Sequence, residues 1–310
     1  DNKPVESLKD IVFGDASENF STHEAHILRA IFEHQATDNF SGRLAASHSN
    51  HDKLYQNMYA SGYDPDANVT GTVTLDGYVD TTQRATSIIS YDLSGQIETG
   101  GITHNLVFGF EYLDTENDND RYDAAWDDSA FDDNEVFSIS RPLSLSGNVG
   151  SDVDGNTTTN YYTGANRVFK DTTFADVKVL SFYINDEIEL TDSLDLVLGA
   201  RFDNMDIDVT GPTQDASDSD DTISPRVGLI FDVTNEASLY ASYSETFAPK
   251  GGDQYAKLDS ATDDEKLDPN TFENLEFGFK YELPMGISLS ATYFEVEANK
   301  PSLNGDGTSS

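Results

Sequence analysis

The chain contains no cysteine among its 310 residues, so neither disulfides nor thiolate metal sites can hold the fold together. Basic residues are scarce, with 18 Lys and Arg against 57 Asp and Glu, and the formal net charge is −39. A field of this sign repels phosphate backbones, which excludes nucleic acid as a partner. The stability of the fold must come from burial and from strand pairing.

The sequence also lacks long apolar runs and the common enzyme motifs. No stretch approaches the roughly 20 apolar residues of a transmembrane helix, so any crossing of a membrane requires strands. The nucleophile elbow G-x-S-x-G, the phosphate loop G-x-x-x-x-G-K and the zinc motif H-E-x-x-H are absent. We therefore expect no catalytic residues, no cofactor and no dedicated metal site.

The six histidines include two closely spaced pairs, His23 with His26 and His48 with His51. Residues three apart on a strand point to opposite faces, so neither pair can chelate a metal within its own strand. Residues 114–120 form an acidic stretch that lacks the glycine and closing glutamate of a calcium loop. We interpret the histidines as surface residues and expect at most loose binding of divalent cations.

Alternation of apolar and polar residues is the dominant pattern. Between residues 194 and 203 every second residue is apolar, namely Leu194, Leu196, Leu198, Ala200 and Phe202. A period of two over roughly 9–11 residues is typical of a tilted strand that spans a membrane. Ten strands are predicted, near residues 22–34, 39–51, 82–97, 102–115, 175–190, 194–209, 221–233, 237–247, 270–282 and 286–297.

Two positions depart from this pattern. Asp186 falls on the apolar side of its strand, which indicates a bulge, a contact with another part of the protein or an error in the predicted register. After Asp203 the apolar residues change to the other face of the strand. We interpret that change as the point where the strand leaves the bilayer.

Short and long connections alternate along the chain. The short ones lie at residues 35–39, 99–101, 191–193, 234–236 and 283–286, and the long ones at about 52–81, 116–174, 210–220 and 248–268. Strict alternation places every tight turn on one side of a sheet, as in outer-membrane barrels with short periplasmic turns. Two alternatives share the strand pattern: a passive porin, and a secreted all-β adhesin or lectin that would bury its apolar faces against protein.

Several runs of sequence resemble the TonB-dependent receptors for ferric siderophores. The runs are FYINDEIELTDSLDLVLGARFD at 182–203, SPRVGLIFDV at 224–233, SLYASYSETFAPKGG at 238–252 and LDPNTFENLEFGFK at 267–280, with a looser match of LVFGFEY at 106–112. The resemblance implies an all-β fold, a segment of about ten meandering antiparallel strands from a transmembrane β-barrel of about 22 strands that encloses a plug. All of residues 1–310 would belong to this single barrel domain, with the plug and the last strands absent.

The resemblance also implies a function and a set of partners. The parent protein would be a monomeric receptor in the outer membrane of a Gram-negative bacterium, in contact with lipid and lipopolysaccharide. It would take up ferric siderophores actively, energised by the TonB complex through the plug, with iron carried as substrate. No signal peptide begins at Asp1, and we expect an internal fragment. The negative charge favours a neutral hydroxamate complex over an anionic catecholate complex.

Ferric chelates are large and partly aromatic, so the resemblance implies recognition by aromatic, cationic and amide side chains of the loops. Arg121 and Trp126 stand out, because a cation and the only tryptophan lie among carboxylates. The same residue types also form the interfacial girdles of barrels. The full set of expected ligand contacts is Tyr55, Tyr59, Tyr63, Arg121, Tyr122, Trp126, Phe131, Arg141, Tyr161, Tyr162, Phe247, Lys250, Gln254 and Tyr255.

Four further charged residues are expected on the polar faces of their strands, which would point them into the lumen of the barrel. They are Arg201, Arg226, Glu245 and Lys280. In a barrel with a plug, such residues contact the plug or lumen water more often than the ligand.

Overall fold

The computed structural model describes residues 6, 19–64, 72–123, 134–138, 168–211, 215–248, 269–283 and 286–299. These residues form eleven strands. The strands are β1 (Phe20–Gln35), β2 (Phe40–Asp64), β3 (Thr72–Thr99), β4 (Ile102–Asp123), β5 (Asn134–Ser138), β6 (Val168–Thr191), β7 (Leu194–Thr210), β8 (Asp215–Thr234), β9 (Ala237–Ala248), β10 (Asn270–Leu283) and β11 (Ile287–Asn299). None of the described residues forms a helix long and apolar enough to cross a bilayer.

Ten of the strands follow one another in a single sheet, in the order β1-β2-β3-β4-β6-β7-β8-β9-β10-β11. The prediction of ten meandering antiparallel strands is confirmed. β5 lies off this path and pairs antiparallel with β3, in a part of the chain that we expected to be loop.

Several strands are longer than the sequence predicted. β2 continues to Asp64 and β3 begins at Thr72, so most of the connection expected at 52–81 is strand. β4, β6 and β8 likewise extend into the stretches expected as loops at 116–174 and 210–220. The predicted loop boundaries were therefore too wide, while residues 249–268 lie outside the described part of the chain.

The turn between β3 and β4 depends on two glycines. Gly100 and Gly101 have φ angles of 64° and 87°, in the left-handed region where a side chain would be strained. This geometry permits the tight reversal that the sequence predicted at residues 99–101.

The chain divides into two compact units. The first comprises residues 1–26, 51–84 and 118–173, and the second comprises residues 27–50, 85–117 and 174–310. In the first unit, the apolar side chains of Met58, Val73, Leu75 and Val79 are almost fully buried. The alternate residues of β3 lie on the opposite face of the strand.

In the second unit, one face of the sheet is mostly apolar. Cross-strand partners match apolar with apolar, for example Phe182 with Phe202 and Phe231 with Leu239. These side chains remain exposed, with Phe182 at 52% and Phe231 at 45%. Large apolar residues exposed over most of one face are what a lipid-facing sheet requires, and in the described part of this unit they do not converge into the packed core that an adhesin or lectin would need.

The change of apolar face after Asp203 has a structural explanation. β7 continues to Thr210 without a break in its pairing with β6. Met205 and Ile207 lie on the face of β7 that carries the polar residues between Leu194 and Asp203. They pack there with Val177 of β6. These residues form a buried cluster whose members are Ala175, Val177, Met205, Ile207 and Val209.

Asp186 makes a contact within the protein. Its Oδ2 lies 2.8 Å from Nδ1 of His104, a residue of β4. The pairing of β6 with β7 is regular at Asp186, and its only irregularity falls between Glu189 and Thr191. Of the three explanations that the sequence allowed, the structure supports the contact.

Candidate functional site

In the first unit, β2, β3 and β4 bring an aromatic and charged group of side chains together. Tyr55 and Tyr59 are four residues apart in β2, so they share a face. Tyr78 of β3 lies 5.9 Å from Tyr55 and 6.0 Å from Tyr59 between ring centroids. Because these rings meet at tilted and edge-on angles, each adds an attractive aromatic contact. We call these three residues, with Asp76, Asp80 and Arg121, the tyrosine cluster.

Arg121 of β4 supplies the cation of the tyrosine cluster. Its guanidinium carbon lies 4.2 Å from the centroid of the Tyr78 ring, within the range of a cation–π interaction. Nη1 of Arg121 also lies 3.3 Å from Asp80. Burial raises the pKa of the Asp80 carboxyl, while Arg121 opposes that shift. The two contacts hold the guanidinium over one ring and beside one carboxylate.

Tyr59 donates a hydrogen bond from its hydroxyl to Oδ2 of Asp76, at 2.8 Å. Burial, and next the bond to Asp76, raise the pKa of Tyr59 to about 12. Burial likewise raises the pKa of Tyr78, with a smaller contribution from Tyr55. The hydroxyls therefore remain neutral donors at ordinary pH. Tyr55 and Tyr59 are still 40% and 37% exposed, so a ligand can reach their rings.

Three of the predicted ligand residues, Tyr55, Tyr59 and Arg121, thus lie in one cluster. Tyr122 lies on the other face of β4, where its ring packs edge-on against Phe169 at 5.7 Å. Tyr63 lies further along β2 and is 44% exposed. Phe247 belongs to the second unit and pairs with Thr271 in the sheet. The remaining candidates lie outside the described residues: Trp126, Phe131, Arg141, Tyr161, Tyr162, Lys250, Gln254 and Tyr255.

Three members of the tyrosine cluster, Asp76, Tyr78 and Asp80, were not predicted from the sequence. The signal was present, because Val73, Leu75, Gly77 and Val79 alternate with Thr74, Asp76, Tyr78 and Asp80. That alternation predicts a strand, but we assigned these residues to the loop expected at 52–81.

In the second unit, Arg201 of β7 is the centre of a polar network. Its Nη2 lies 3.1 Å from Glu111 and its Nε lies 2.8 Å from Asp203. It also lies over the ring of Tyr183, at 5.5 Å. The hydroxyl of Tyr183 in turn donates to Asp92. Arg201 is therefore neutralised by residues of the sheet itself, across β4, β6 and β7.

The other three predicted lumen residues differ among themselves. Lys280 lies 5.6 Å from the ring of Tyr240, on the polar face of β10. Arg226 pairs with Ser244 and Gly199, on the face opposite the apolar residues of β8. The expectation for Glu245 is wrong: it accepts a hydrogen bond from Tyr243 at 2.5 Å and shares the face of that residue. Glu245 follows Leu239 and Tyr243 at even spacing, so it lies on the apolar side of β9.

No group of three or more metal-ligating side chains is found among the described residues. The tyrosine cluster offers aromatic faces, hydroxyl groups and one guanidinium, which are groups suited to non-covalent binding.

A sheet of ten meandering strands, with one exposed apolar face and a polar face that carries charged networks, is the wall of an outer-membrane β-barrel. The chain belongs to the TonB-dependent receptors: residues 10–308 match the family described as TonB dependent receptor-like, beta-barrel. These receptors lie in the outer membrane of Gram-negative bacteria. The resemblance found in the sequence is confirmed.

Known relatives agree with this assignment. The metal-pseudopaline receptor CntO of Pseudomonas aeruginosa is 26% identical over 91% of this chain and 37% of its own length. The probable TonB-dependent siderophore receptor PiuA of Acinetobacter baumannii is 24% identical over 99% of this chain and 42% of its own length. The chain thus spans about two fifths of the length of each of these two relatives.

A solved structure supports the fold. The ferric-catecholate import receptor Fiu of Escherichia coli K12, in its closed form, superposes with a TM-score of 0.75 at 19% identity. The match covers 96% of this chain and 44% of Fiu.

Proposed function

We propose that the chain forms part of the wall of an active transporter for ferric siderophores, energised through TonB. The family assignment and the siderophore receptors among its relatives support this proposal. In this scheme the protein carries out no chemistry on the chelate, and iron passes through as substrate with no resident cofactor. The parent receptor is a monomer that contacts lipid and lipopolysaccharide and reaches the TonB complex through its plug.

The tyrosine cluster is the observation that carries the proposal for ligand recognition. A ferric chelate offers a large, partly aromatic surface, which can stack on the exposed rings of Tyr55 and Tyr59. The Tyr59 hydroxyl, whose proton is donated to Asp76, can accept a hydrogen bond from an N–H or O–H group of the chelate. Arg121, fixed over Tyr78, supplies a positive charge at the same place. These are the few convergent polar groups on an aromatic surface that ligand sites commonly use.

The charges of the tyrosine cluster favour a neutral chelate. Asp76 and Asp80 contribute one carboxylate each. Arg121 contributes one positive charge, and it already pairs with Asp80. A highly anionic catecholate complex would meet repulsion here, whereas a neutral hydroxamate complex would not. We therefore propose hydroxamate siderophores as the substrate class.

On the polar face of the second unit, Arg201, Arg226 and Lys280 are proposed to face the plug or lumen water. Arg201 already has two carboxylate partners in the wall, so its role is to hold β4, β6 and β7 in register.

Growth under iron limitation tests the function of the parent receptor. A strain with this receptor as its only route for ferric chelates is supplied with defined hydroxamate and catecholate siderophores in turn. We expect growth on at least one hydroxamate, and loss of that growth when TonB is removed. Growth that persists without TonB would instead indicate passive diffusion, as in a porin.

A further inference from the structure

The sheet brings together two histidines that are 28 residues apart in the sequence. His23 of β1 and His51 of β2 approach with Nε2 of the first 3.0 Å from Nδ1 of the second. Their ring centroids are 5.3 Å apart and the ring planes differ by 15°. Each histidine comes from a different one of the two sequence pairs. The pairing of β1 with β2 thus brings two imidazoles together, which neither sequence pair could do along its own strand.

We propose that His23 and His51 form a two-imidazole binding site for a divalent transition-metal ion of the copper and nickel type. Neutral imidazole nitrogen is a preferred ligand for these ions. In the metal-free state, an N–H of one ring donates to the nitrogen of the other, since two lone pairs would otherwise repel at 3.0 Å. A bound metal ion replaces that hydrogen, and one ring takes the other tautomer so that both nitrogens present lone pairs.

The separation of the two nitrogens selects the type of metal. With metal–nitrogen bonds of about 2.0–2.1 Å, nitrogens separated by 3.0 Å subtend an angle of roughly 90–100° at the metal. That angle matches neighbouring positions of square-planar or octahedral coordination, which Cu²⁺ and Ni²⁺ adopt. A tetrahedral Zn²⁺ site would need the nitrogens about 3.3 Å apart. Both rings must also turn toward the metal, which the exposed position of the pair allows.

The location of the pair gives it access to ions from the loop side of the sheet. His51 and Tyr55 are four residues apart in β2, so they share a face and lie roughly 13 Å apart along the strand. The metal site therefore neighbours the tyrosine cluster. Water, or donor atoms of a chelate with open coordination positions, would complete the coordination of the metal.

The remaining two histidines of the sequence pairs provide matched controls. His26 lies on the other face of β1, with a side chain 77% exposed, and contacts Glu24. His48 contacts Ser87 at 2.9 Å. Each offers the same imidazole on the same two strands without a partner imidazole in these contacts.

The test uses the untagged intact receptor, purified in detergent and titrated with Cu²⁺ alone. We expect His23→Ala and His51→Ala each to weaken copper binding by about tenfold or more, because each removes the intramolecular second ligand. His51→Gln, which keeps hydrogen-bonding capacity, should weaken it equally. His26→Ala and His48→Ala should leave it within about twofold. Electron paramagnetic resonance of the bound copper should lose one coordinated nitrogen in each of the first three variants.

A shared site also predicts that in the double variant His23→Ala/His51→Ala the bound copper loses both of these nitrogens and binds at least as weakly as in either single variant. Copper affinity within twofold of wild type in both single variants would overturn the proposal, and so would absence of copper binding by the wild-type receptor. An equal loss in His26→Ala would show non-specific binding by surface imidazoles and would also overturn it. Circular dichroism of each variant confirms that the barrel is folded before its affinity is compared.

Discussion

Replacement of Tyr78 by Ala should have the largest effect of any single change in the tyrosine cluster. Tyr78 is the residue that contacts the other two rings and the guanidinium of Arg121. Each aromatic pair contributes about 0.5–1.5 kcal/mol. An exposed cation–π contact contributes a further ~0.5–1 kcal/mol. Loss of these contacts releases Arg121 and the two remaining rings from their fixed positions.

The effect on ligand binding follows from that loss of order. A ligand must then fix Arg121 and two tyrosine side chains by itself, at about 0.5–1.5 kcal/mol per side chain. We expect Tyr78→Ala to weaken binding by about 2 kcal/mol in total, or roughly thirtyfold in Kd. The measurement is equilibrium binding of a radiolabelled ferric hydroxamate to outer-membrane vesicles that contain the intact receptor.

Two controls separate this reasoning from a general disturbance. Tyr78→Phe keeps the ring and its three contacts, so we expect binding within about threefold of wild type. Tyr293→Ala removes an exposed tyrosine of β11 that lies outside the cluster and outside the expected ligand contacts, and it should have no more than a twofold effect. Affinity of Tyr78→Ala within twofold of wild type, in a receptor present at normal levels, would refute the role of the cluster.

Three further predictions concern stability and titration. Ile207→Ala should lower the free energy of unfolding by about 2–4 kcal/mol, because the side chain is 1% exposed within the buried cluster of β6 and β7. Asp206→Asn, on the opposite face, should change it by less than about 0.5 kcal/mol, and urea unfolding in detergent gives both values. Arg201→Ala should destabilise the barrel strongly, because Asp203, with a side chain only 4% exposed, loses its cation. The double variant with Asp203→Asn should recover part of that loss in heat-dependent gel migration, and no recovery would argue against the ion pair. A tyrosine whose pKa is raised from 10.0 to about 12 binds more protons in the folded state, so stability falls as pH rises from 10 to 12. Tyr59→Phe should remove that part of the alkaline loss, and an unchanged pH profile in unfolding experiments would contradict the assignment.

The strands could be predicted from the sequence wherever one face was cleanly apolar. β7 to β11 follow that pattern, and their registers match apolar with apolar residues. The extensions of β2, β3 and β6 were missed because the apolar residues there lie on a different face or in shorter runs. β5 has only five residues, too few for a periodic signal.

The candidate site was partly predictable for a different reason. Residue type alone indicated Tyr55, Tyr59 and Arg121, since a cation and clustered aromatics are what a chelate needs. Their contact with Tyr78 depends on the pairing of three strands, and the approach of His23 to His51 depends on the pairing of two. Distances across a sheet are set by register, which a single strand does not encode. Glu245 was assigned to the wrong face of β9 because the alternation of faces along that strand was miscounted.

The change of apolar face along β6 and β7 has a consequence for how this hairpin sits in the bilayer. The half of the hairpin nearer the short turn at residues 191–193 presents Phe182 and Phe202 to the lipid. The half further from that turn presents Asp206 and Asp208 on the same side. Movement of the hairpin along the membrane normal toward its short turn would push the carboxylates into hydrocarbon. Movement in the opposite direction would expose the aromatic rings to water. Both movements cost free energy, so the vertical position of the barrel wall is encoded residue by residue in these two strands.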